Sequence, residues 1–313
     1  MTRSVLKTRA LAVAAYAPAL VLAALVAFSA GNSATAQEKT VAARVKDTKA
    51  AERINYASTV RATGQQMALA ICLSNAGVNA EANTKIVTDS VDLLTKLVAA
   101  LEMGDESMGL DKEEHEPVIS AVRGLNSQWT RFSEQVQKLN SGEDAESAFD
   151  YISRQNINMS YASRAFLVRA MQFYVVAPEL LQSYAYTLDI AARQRALLMQ
   201  MAKESCGLAT GNTVMGNVKR LQNSSRLFDL SLSALKDGFE AAGVITPPTP
   251  EIEAALAEIS TDWAALKPEF EKVNKSGAID VAKATEIGAM SEALYAKLVS
   301  LADLYIAASK FKG

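Results

Sequence analysis

The sequence is poor in the residues that interrupt helices and in those that carry most catalytic chemistry. Its 313 residues include 7 prolines, 15 glycines, 2 cysteines and 1 histidine. Alternating runs of β-branched residues, which indicate strands, are nearly absent. Half of the composition is hydrophobic, so a substantial core can be buried. Together these features predict an all-α protein.

The chemistry that the sequence lacks argues against an enzyme. The only histidine, His115, lies in the acidic segment 113–116, where a solvated charged turn is the expected structure and a metal site is the alternative. No C-x-x-C-H motif and no Gly-rich phosphate loop is present, and no pair of carboxylates stands out for acid–base work. We therefore predict no catalytic residue, no cofactor and no metal.

Clusters of Lys and Arg are also absent, which argues against nucleic acid and anionic membrane surfaces as partners. The first 36 residues have three basic residues, an apolar stretch and an A-x-A site at Ala34–Ala36, and they predict a cleaved signal peptide. An uncleaved membrane anchor is the alternative. Cleavage leaves 29 of the 32 basic residues against 34 acidic ones, a net charge of −5. The expected location is the periplasm, with no membrane insertion after cleavage.

The sequence repeats itself at a constant offset, without a gap, which aligns about 54–140 with 188–274. Both tryptophans and both cysteines obey the offset, so chance is a poor explanation. The identical pairs include the following positions: Ala57/Ala191, Arg61/Arg195, Gln66/Gln200, Met67/Met201, Cys72/Cys206, Gly104/Gly238, Gly109/Gly243, Trp129/Trp263 and Asn140/Asn274. A duplication of one helical unit is indicated.

Each copy contains four stretches with apolar residues at steps of three and four, which predict four helices. Short loops between helices of this length favour an antiparallel four-helix bundle. After the signal peptide at 1–36, we predict one four-helix unit at 37–177 and a second at 178–313, divided near Pro178. The predicted architecture is two tandem bundles that form an internal pseudo-dimer.

The two cysteines predict a disulfide, because an even count in an oxidising compartment suggests pairing. Two free buried thiols are the alternative. A bond between Cys72 and Cys206 requires the first helices of the two copies to pack face to face, related by a pseudo-twofold axis. Arg61 and Arg195 then lie on the same seam, about 16 Å along the helices from the bridge.

Two guanidinium groups at one seam repel each other unless an anion lies between them, and arginine suits planar oxyanions. We take Arg61 and Arg195 as candidate ligand-binding residues, together with Ser58 and Gln65, which lie around Arg61 on the first helix. In the alternative interpretation, each arginine pairs with an acid on a neighbouring helix or reaches solvent.

The segment 188–203 resembles a known family. Leu-Asp-Ile-Ala-Ala-Arg-Gln-Arg-Ala-Leu at 188–197, followed by Met-Ala-Lys at 201–203, is similar to the I-N/D-x-A-G-R-Q-R-M-L-S-Q-R-M-A-K motif. This motif marks the N-terminal sensory domain of type IV pilus methyl-accepting chemotaxis transducers (PilJ-type). It is related to the P-box of nitrate/nitrite sensor kinases (NarX-like). Residues 54–61 are a weaker copy of the motif in the first half of the chain.

The resemblance implies a four-helix unit that dimerises through its first helix and binds its ligand between two equivalent arginines, which match Arg61 and Arg195. The motif glycine is replaced by Ser58 and Ala192, so nitrate specificity does not carry over. No kinase or methyl-accepting coiled coil follows, so we expect a separate envelope protein partner to receive the signal. The predicted function is a periplasmic sensory module that binds a small anion. A structural or adaptor protein of the envelope and a receptor remnant that has lost its ligand are the alternatives.

Overall fold

In a computed structural model that describes residues 49–176 and 180–310, the described residues form eight α-helices. They are α1 (Ala50–Asn75), α2 (Ala80–Met103), α3 (Glu116–Ser141), α4 (Ala145–Tyr174), α5 (Gln182–Ala209), α6 (Val218–Asp237), α7 (Pro250–Ser276) and α8 (Val281–Ser309). Within these ranges there is no strand, which confirms the all-α prediction. The predicted signal peptide and Pro178 lie outside the described residues. None of the described helices is both long enough and apolar enough to cross a membrane.

Helices α1 and α5 occupy the centre of the packing. Nearly every position from Ala57 to Leu73 of α1 is buried, and α5 is buried in the same way from Ala191 to Gly207. Their sequences show no single apolar face, since small and apolar residues occur on all sides, as expected of a helix that is surrounded. The other helices keep an exposed polar side.

Each half of the chain has the packing pattern of a four-helix bundle. In the first half, α1 packs against α2 and α4, and α3 packs against the same two helices. In the second half, α5 packs against α6 and α8, and α7 packs against the same two helices. Between the halves, α1 and α5 pack extensively against each other. Short connections between successive helices account for the neighbours within each half.

The loop between the second and third helices repeats in both halves. Each loop contains a short 3-10 helix, Glu106–Met108 or Glu240–Ala242, and one isolated bridge closes each loop. Gly104 and Gly238 begin the loops at φ +78° and +77°, a left-handed conformation that favours glycine. This explains why glycine is retained at both positions.

The two tryptophans also have equivalent environments. Trp129 Nε1 donates to Thr95 Oγ1 at 3.2 Å, and Trp263 Nε1 donates to Asp229 Oδ1 at 3.1 Å. Thr95 and Asp229 are related by the same offset as the two tryptophans. Each indole therefore joins the second and third helices of its half and buries its ring without leaving the N–H unpaired.

Local sequence accounts for the start of α7 and of α3. Thr249 caps α7 by accepting a hydrogen bond from the Ile252 amide, and Pro250 is the first residue of that helix. Asp111 and Glu114 have the spacing of a capping box, but α3 begins only at Glu116. Pro117 in the first turn of α3 has its φ fixed near the helical value and favours a start at that point.

Candidate functional site

Helices α1 and α5 run parallel along the seam. The contacts that join them pair Arg61 with Asp189 near the start and Cys72 with Cys206 near the end, so residue numbers rise together on both helices. Cys72 and Cys206 form a disulfide with their Cα atoms 6.3 Å apart. The predicted pairing is confirmed, and the bridge fixes the seam at the C-terminal ends of the two helices.

Arg61 is buried in the seam with one acidic partner. Its Nη2 donates to Asp189 Oδ1 across the seam at 2.9 Å and to Ser58 Oγ of its own helix at 2.5 Å. Two of the predicted site residues, Arg61 and Ser58, are thus in direct contact. The ion pair with Asp189 means that Arg61 follows the alternative interpretation, in which an acid on a neighbouring helix pairs with the arginine.

Arg195 is 2 % exposed and has neutral hydrogen-bond partners. Its Nη2 donates to Asn55 Oδ1 at 2.6 Å, its Nη1 to Thr59 Oγ1 at 3.3 Å and its Nε to the Ala192 carbonyl at 3.1 Å. Burial lowers the pKa of this guanidinium, electrostatic interactions with Tyr295 and with the Asp303 carboxylate oppose that shift, and the charge of Arg61 adds to it. Arg195 is therefore a buried cation without a carboxylate in hydrogen-bond contact among the described residues.

The two arginines make equivalent contacts. Asn55 and Asp189 occupy the same position in the two copies, so each arginine reaches across the seam to the equivalent residue of the other copy. Because α1 and α5 run parallel, both arginine side chains extend toward the N-terminal ends of the helices, to the level of Asn55 and Asp189. Because the equivalent positions carry an amide in one copy and a carboxylate in the other, the seam is symmetric in shape and asymmetric in charge.

Gln65, the fourth predicted residue, faces a different helix. Its Nε2 lies 3.4 Å from both the Asn156 carbonyl and Ser160 Oγ of α4. Its Oε1 is buried and has no donor within the described ranges. Gln65 thus lies beside the arginine pair and links α1 to α4, and its free acceptor is unsuited to an anion.

Arg193 is a charged residue of the seam that sequence reasoning missed. Its Nε is buried and has no hydrogen-bond acceptor in residues 49–176 and 180–310. The Nε atom of Arg61 is also buried and has no acceptor in these ranges. Burial lowers the pKa of Arg193, Asp189 opposes that shift, and the charges of Arg61 and Arg164 add to it. The available signal was its place as the first arginine of the motif, where the first copy has Thr59.

The seam therefore holds more positive than negative charge. Three arginines lie near two carboxylates: Asp189 pairs with Arg61 and also acts on Arg193, and Asp303 acts on Arg195. The Nε–H groups of Arg61 and Arg193 have no acceptor in the described structure. Buried polar groups without partners are uncommon in native proteins. Planar guanidinium groups with free N–H donors are suited to an oxyanion.

A second buried charge cluster lies beside the loop that follows α2. Arg53 Nη1 donates to Glu113 Oε2 at 3.2 Å, and Tyr174 donates from its hydroxyl to Glu113 Oε1 at 2.6 Å. Arg53 also lies over the Tyr174 ring, 4.6 Å from its centroid. Glu113 is 1 % exposed, so the expected solvated turn at 113–116 is wrong at this residue; His115 remains half-exposed.

We expect Glu113→Gln to lower stability by about 3 kcal/mol at pH 7, since it leaves Arg53 without its buried carboxylate. Burial alone would raise the pKa of Glu113, but hydrogen bonds from Tyr174 and His115 and the charge of Arg53 outweigh it and hold the pKa below its usual value. The stabilisation is thus complete above about pH 4.5 and is lost as the pH falls through the folded-state pKa.

Urea unfolding at several pH values measures this dependence. As the pH falls below about 4.5, the wild type should lose stability more steeply than Glu113→Gln, so that the two converge in acid. Glu114→Gln removes an exposed neighbouring carboxylate and should follow the wild type. A constant difference between wild type and Glu113→Gln at all pH values would contradict the assignment.

No set of three or more His, Cys, Asp or Glu side chains in the described part of the chain is arranged to hold a metal ion. The Type IV pili methyl-accepting chemotaxis transducer N-terminal family (PilJ) matches residues 45–152 and 181–286, which is more than half of the chain. The chain belongs to the PilJ family. Both matched ranges contain one central helix, α1 or α5, so the PilJ domain occurs once in each half. Neither a curated protein nor a solved structure matches the chain.

Proposed function

We propose that this PilJ protein is a non-enzymatic sensory module that binds a small oxyanion in the seam between α1 and α5. The observation that carries the proposal is the charge excess of the seam, where three arginines outnumber the two nearby carboxylates of Asp189 and Asp303 and two buried N–H donors have no acceptor among the described residues. An anion with one negative charge would neutralise the excess and accept from the Nε–H groups of Arg61 and Arg193.

We infer that the two halves act as an internal pseudo-dimer. The constant offset of the repeat, the equivalent cross-seam contacts of Arg61 and Arg195 and the disulfide between equivalent cysteines all support this relation. One chain then provides both sides of the ligand site. The disulfide fits an oxidising compartment, and we propose the periplasm.

Ligand binding would be transmitted through the packing of α1 against α5. An anion that binds one arrangement of the two helices better than another shifts the population toward it. A separate envelope protein that contacts the outer helices would then receive the signal. We propose neither nucleic acid nor a membrane-inserted segment among the partners of the helical region.

The adaptor function remains the second candidate, because Arg61 already has an acidic partner and Arg195 has three acceptors. In this case the arginines are structural and no small ligand binds. The receptor remnant predicts the same arginine contacts and no ligand response, and it differs from the adaptor in having no binding partner.

Thermal unfolding of the purified protein with a panel of small oxyanions tests the proposal. Nitrate, nitrite, formate, sulfate and phosphate are compared with chloride at equal ionic strength. A ligand at about 100 times its Kd adds about 2.7 kcal/mol of stability, which corresponds to a Tm increase of roughly 5 °C for a chain of this size. Arg193→Gln should abolish the increase, because it removes a buried donor, Arg193 Nε, that has no hydrogen-bond partner among the described residues.

Arg131→Gln is the matched control, since Arg131 is exposed and bonds only within its own helix α3. It should keep the full Tm increase. The double variant Arg61→Ala/Arg195→Ala should also lose the response, with lower stability in the absence of anions. If no oxyanion raises the Tm of the wild type, the ligand proposal fails and the adaptor function is favoured.

A further inference from the structure

A groove of about 170 Å³ lies between the C-terminal half of α1, the start of α2 and the N-terminal half of α8. Its wall is apolar over most of its length and includes Leu69, Leu73 and Ile86. An apolar cavity of roughly 150 Å³ is large enough for benzene, so a ligand of about six non-hydrogen atoms fits. The groove is separate from the arginine contacts of the seam.

One carboxylate lines this groove. Glu292 of α8 accepts a hydrogen bond from Gln66 Nε2 at Oε2, at a distance of 2.8 Å. Among residues 49–176 and 180–310, no Lys, Arg or His nitrogen forms an ion pair with it. Burial raises the pKa of Glu292, with the Gln66 hydrogen bond acting in the opposite direction. A partly buried carboxylate beside an apolar surface is stabilised as an anion when a cation reaches it.

In the second half of the chain, a lysine side chain occupies the position equivalent to one residue of the groove wall. Lys203 occupies the position in the second copy that Leu69 has in the first, and its side chain is 2 % exposed. Its Nζ donates to Asn156 Oδ1 of α4 at 3.0 Å and lies 3.3 Å from Glu204 Oε1. A four-carbon alkylammonium group is thus buried beside a carboxylate in one half, and the equivalent position in the other half is Leu69, at the groove.

Close backbone packing closes the equivalent region of the second half. A Cβ atom on Gly207 would lie 2.2 Å from the backbone nitrogen of Gly216, so only glycine permits this approach. The equivalent residues in the first half are Leu73 and Ala82, which both line the groove. Their side chains hold the start of α2 away from α1 and leave the space open.

We propose that the groove binds a small primary alkylammonium ion, whose ammonium group pairs with the Glu292 carboxylate. The alkyl chain lies against Leu69, Leu73 and Ile86. The ligand takes the role in the first half that the Lys203 side chain has in the second. The apolar wall selects a chain of about four to six carbons, and the carboxylate selects a positive charge.

Isothermal titration calorimetry of the purified protein with n-pentylammonium chloride tests this site. We expect saturable binding with one ligand per chain. Glu292→Gln should weaken binding about tenfold or more, because the charge-assisted contact is lost. Ala82→Leu keeps the carboxylate and fills the groove with a larger side chain, so it should also weaken binding. Glu286→Gln removes an exposed carboxylate of the same helix and should bind as the wild type does.

Two further titrations separate the contributions of charge and chain. Ammonium chloride has the charge without the chain, and 1-pentanol has the chain without the charge; both should bind at least about tenfold more weakly. Thermal unfolding without ligand shows whether each variant is folded. Absence of saturable binding to the wild type, equal binding of 1-pentanol, or unchanged binding to folded Glu292→Gln would each overturn the proposal.

Discussion

Removing the disulfide should lower the stability of the protein by about 5 kcal/mol. The bond between Cys72 and Cys206 joins positions separated by 134 in the sequence, and the loss of chain entropy in the unfolded state grows with the logarithm of loop length. The double variant Cys72→Ala/Cys206→Ala avoids placing a hydroxyl at positions that are 1 % exposed. We expect its Tm to fall by about 10 °C in calorimetry.

The wild type in reducing agent is the control for this variant. Its Tm should fall to a value near that of the double variant, while the variant itself should not respond to the reducing agent. Equal Tm values for the oxidised wild type and the variant would mean that the contacts between α1 and α5 hold the seam without the bond. The predicted contribution of the disulfide to stability would then be wrong, whereas the presence of the bond would not be contradicted.

Replacing Glu204 with glutamine should lower stability by about 4 kcal/mol. Glu204 is fully buried and lies between two cations: Lys203 at 3.3 Å and Arg220, which donates to both of its oxygens at 2.8 and 3.2 Å. The substitution leaves the Lys203 ammonium buried without a carboxylate, and a buried charge without a partner is strongly destabilising. Urea unfolding at neutral pH measures the loss.

The first half of the chain supplies a matched control. The residues equivalent to Lys203, Glu204 and Arg220 are Leu69, Ala70 and Ile86. The triple variant Lys203→Leu/Glu204→Ala/Arg220→Ile should therefore be much closer in stability to the wild type than Glu204→Gln is, because an apolar replacement leaves no buried charge. Arg220→Gln alone should cost less than Glu204→Gln, since Arg220 is half-exposed. A triple variant as unstable as Glu204→Gln would show that packing, not charge, dominates at this position.

The helices, the disulfide and the repeat could be predicted because each depends on spacing along the chain. Apolar residues at steps of three and four identify helices, and a constant offset identifies equivalent residues. The disulfide followed because Cys72 and Cys206 were the only two cysteines and obeyed that offset. In the same way, Arg61 and Ser58 were predicted to lie together because they are one helical turn apart.

The partners of the arginines could not be predicted in the same way. The Arg61–Asp189 pair depends on how far a side chain reaches along the neighbouring helix, which the offset does not give. Glu113 was expected in solvent because its neighbours are charged. Its burial depends on Tyr174, which lies 61 residues away in the sequence. Such polar contacts are decided by tertiary packing, which local patterns do not encode.

The position of the disulfide at one end of the seam has a mechanical consequence. The covalent bond is a pivot, about 16 Å from Arg61 and about 33 Å from Ala50, the first residue of α1. A ligand that spreads the two helices by about 1 Å at the level of the arginines would spread their N-terminal ends by about 2 Å, in proportion to these lengths. The seam can thus act as a lever that doubles a small displacement at the ends of α1 and α5 farthest from the bond.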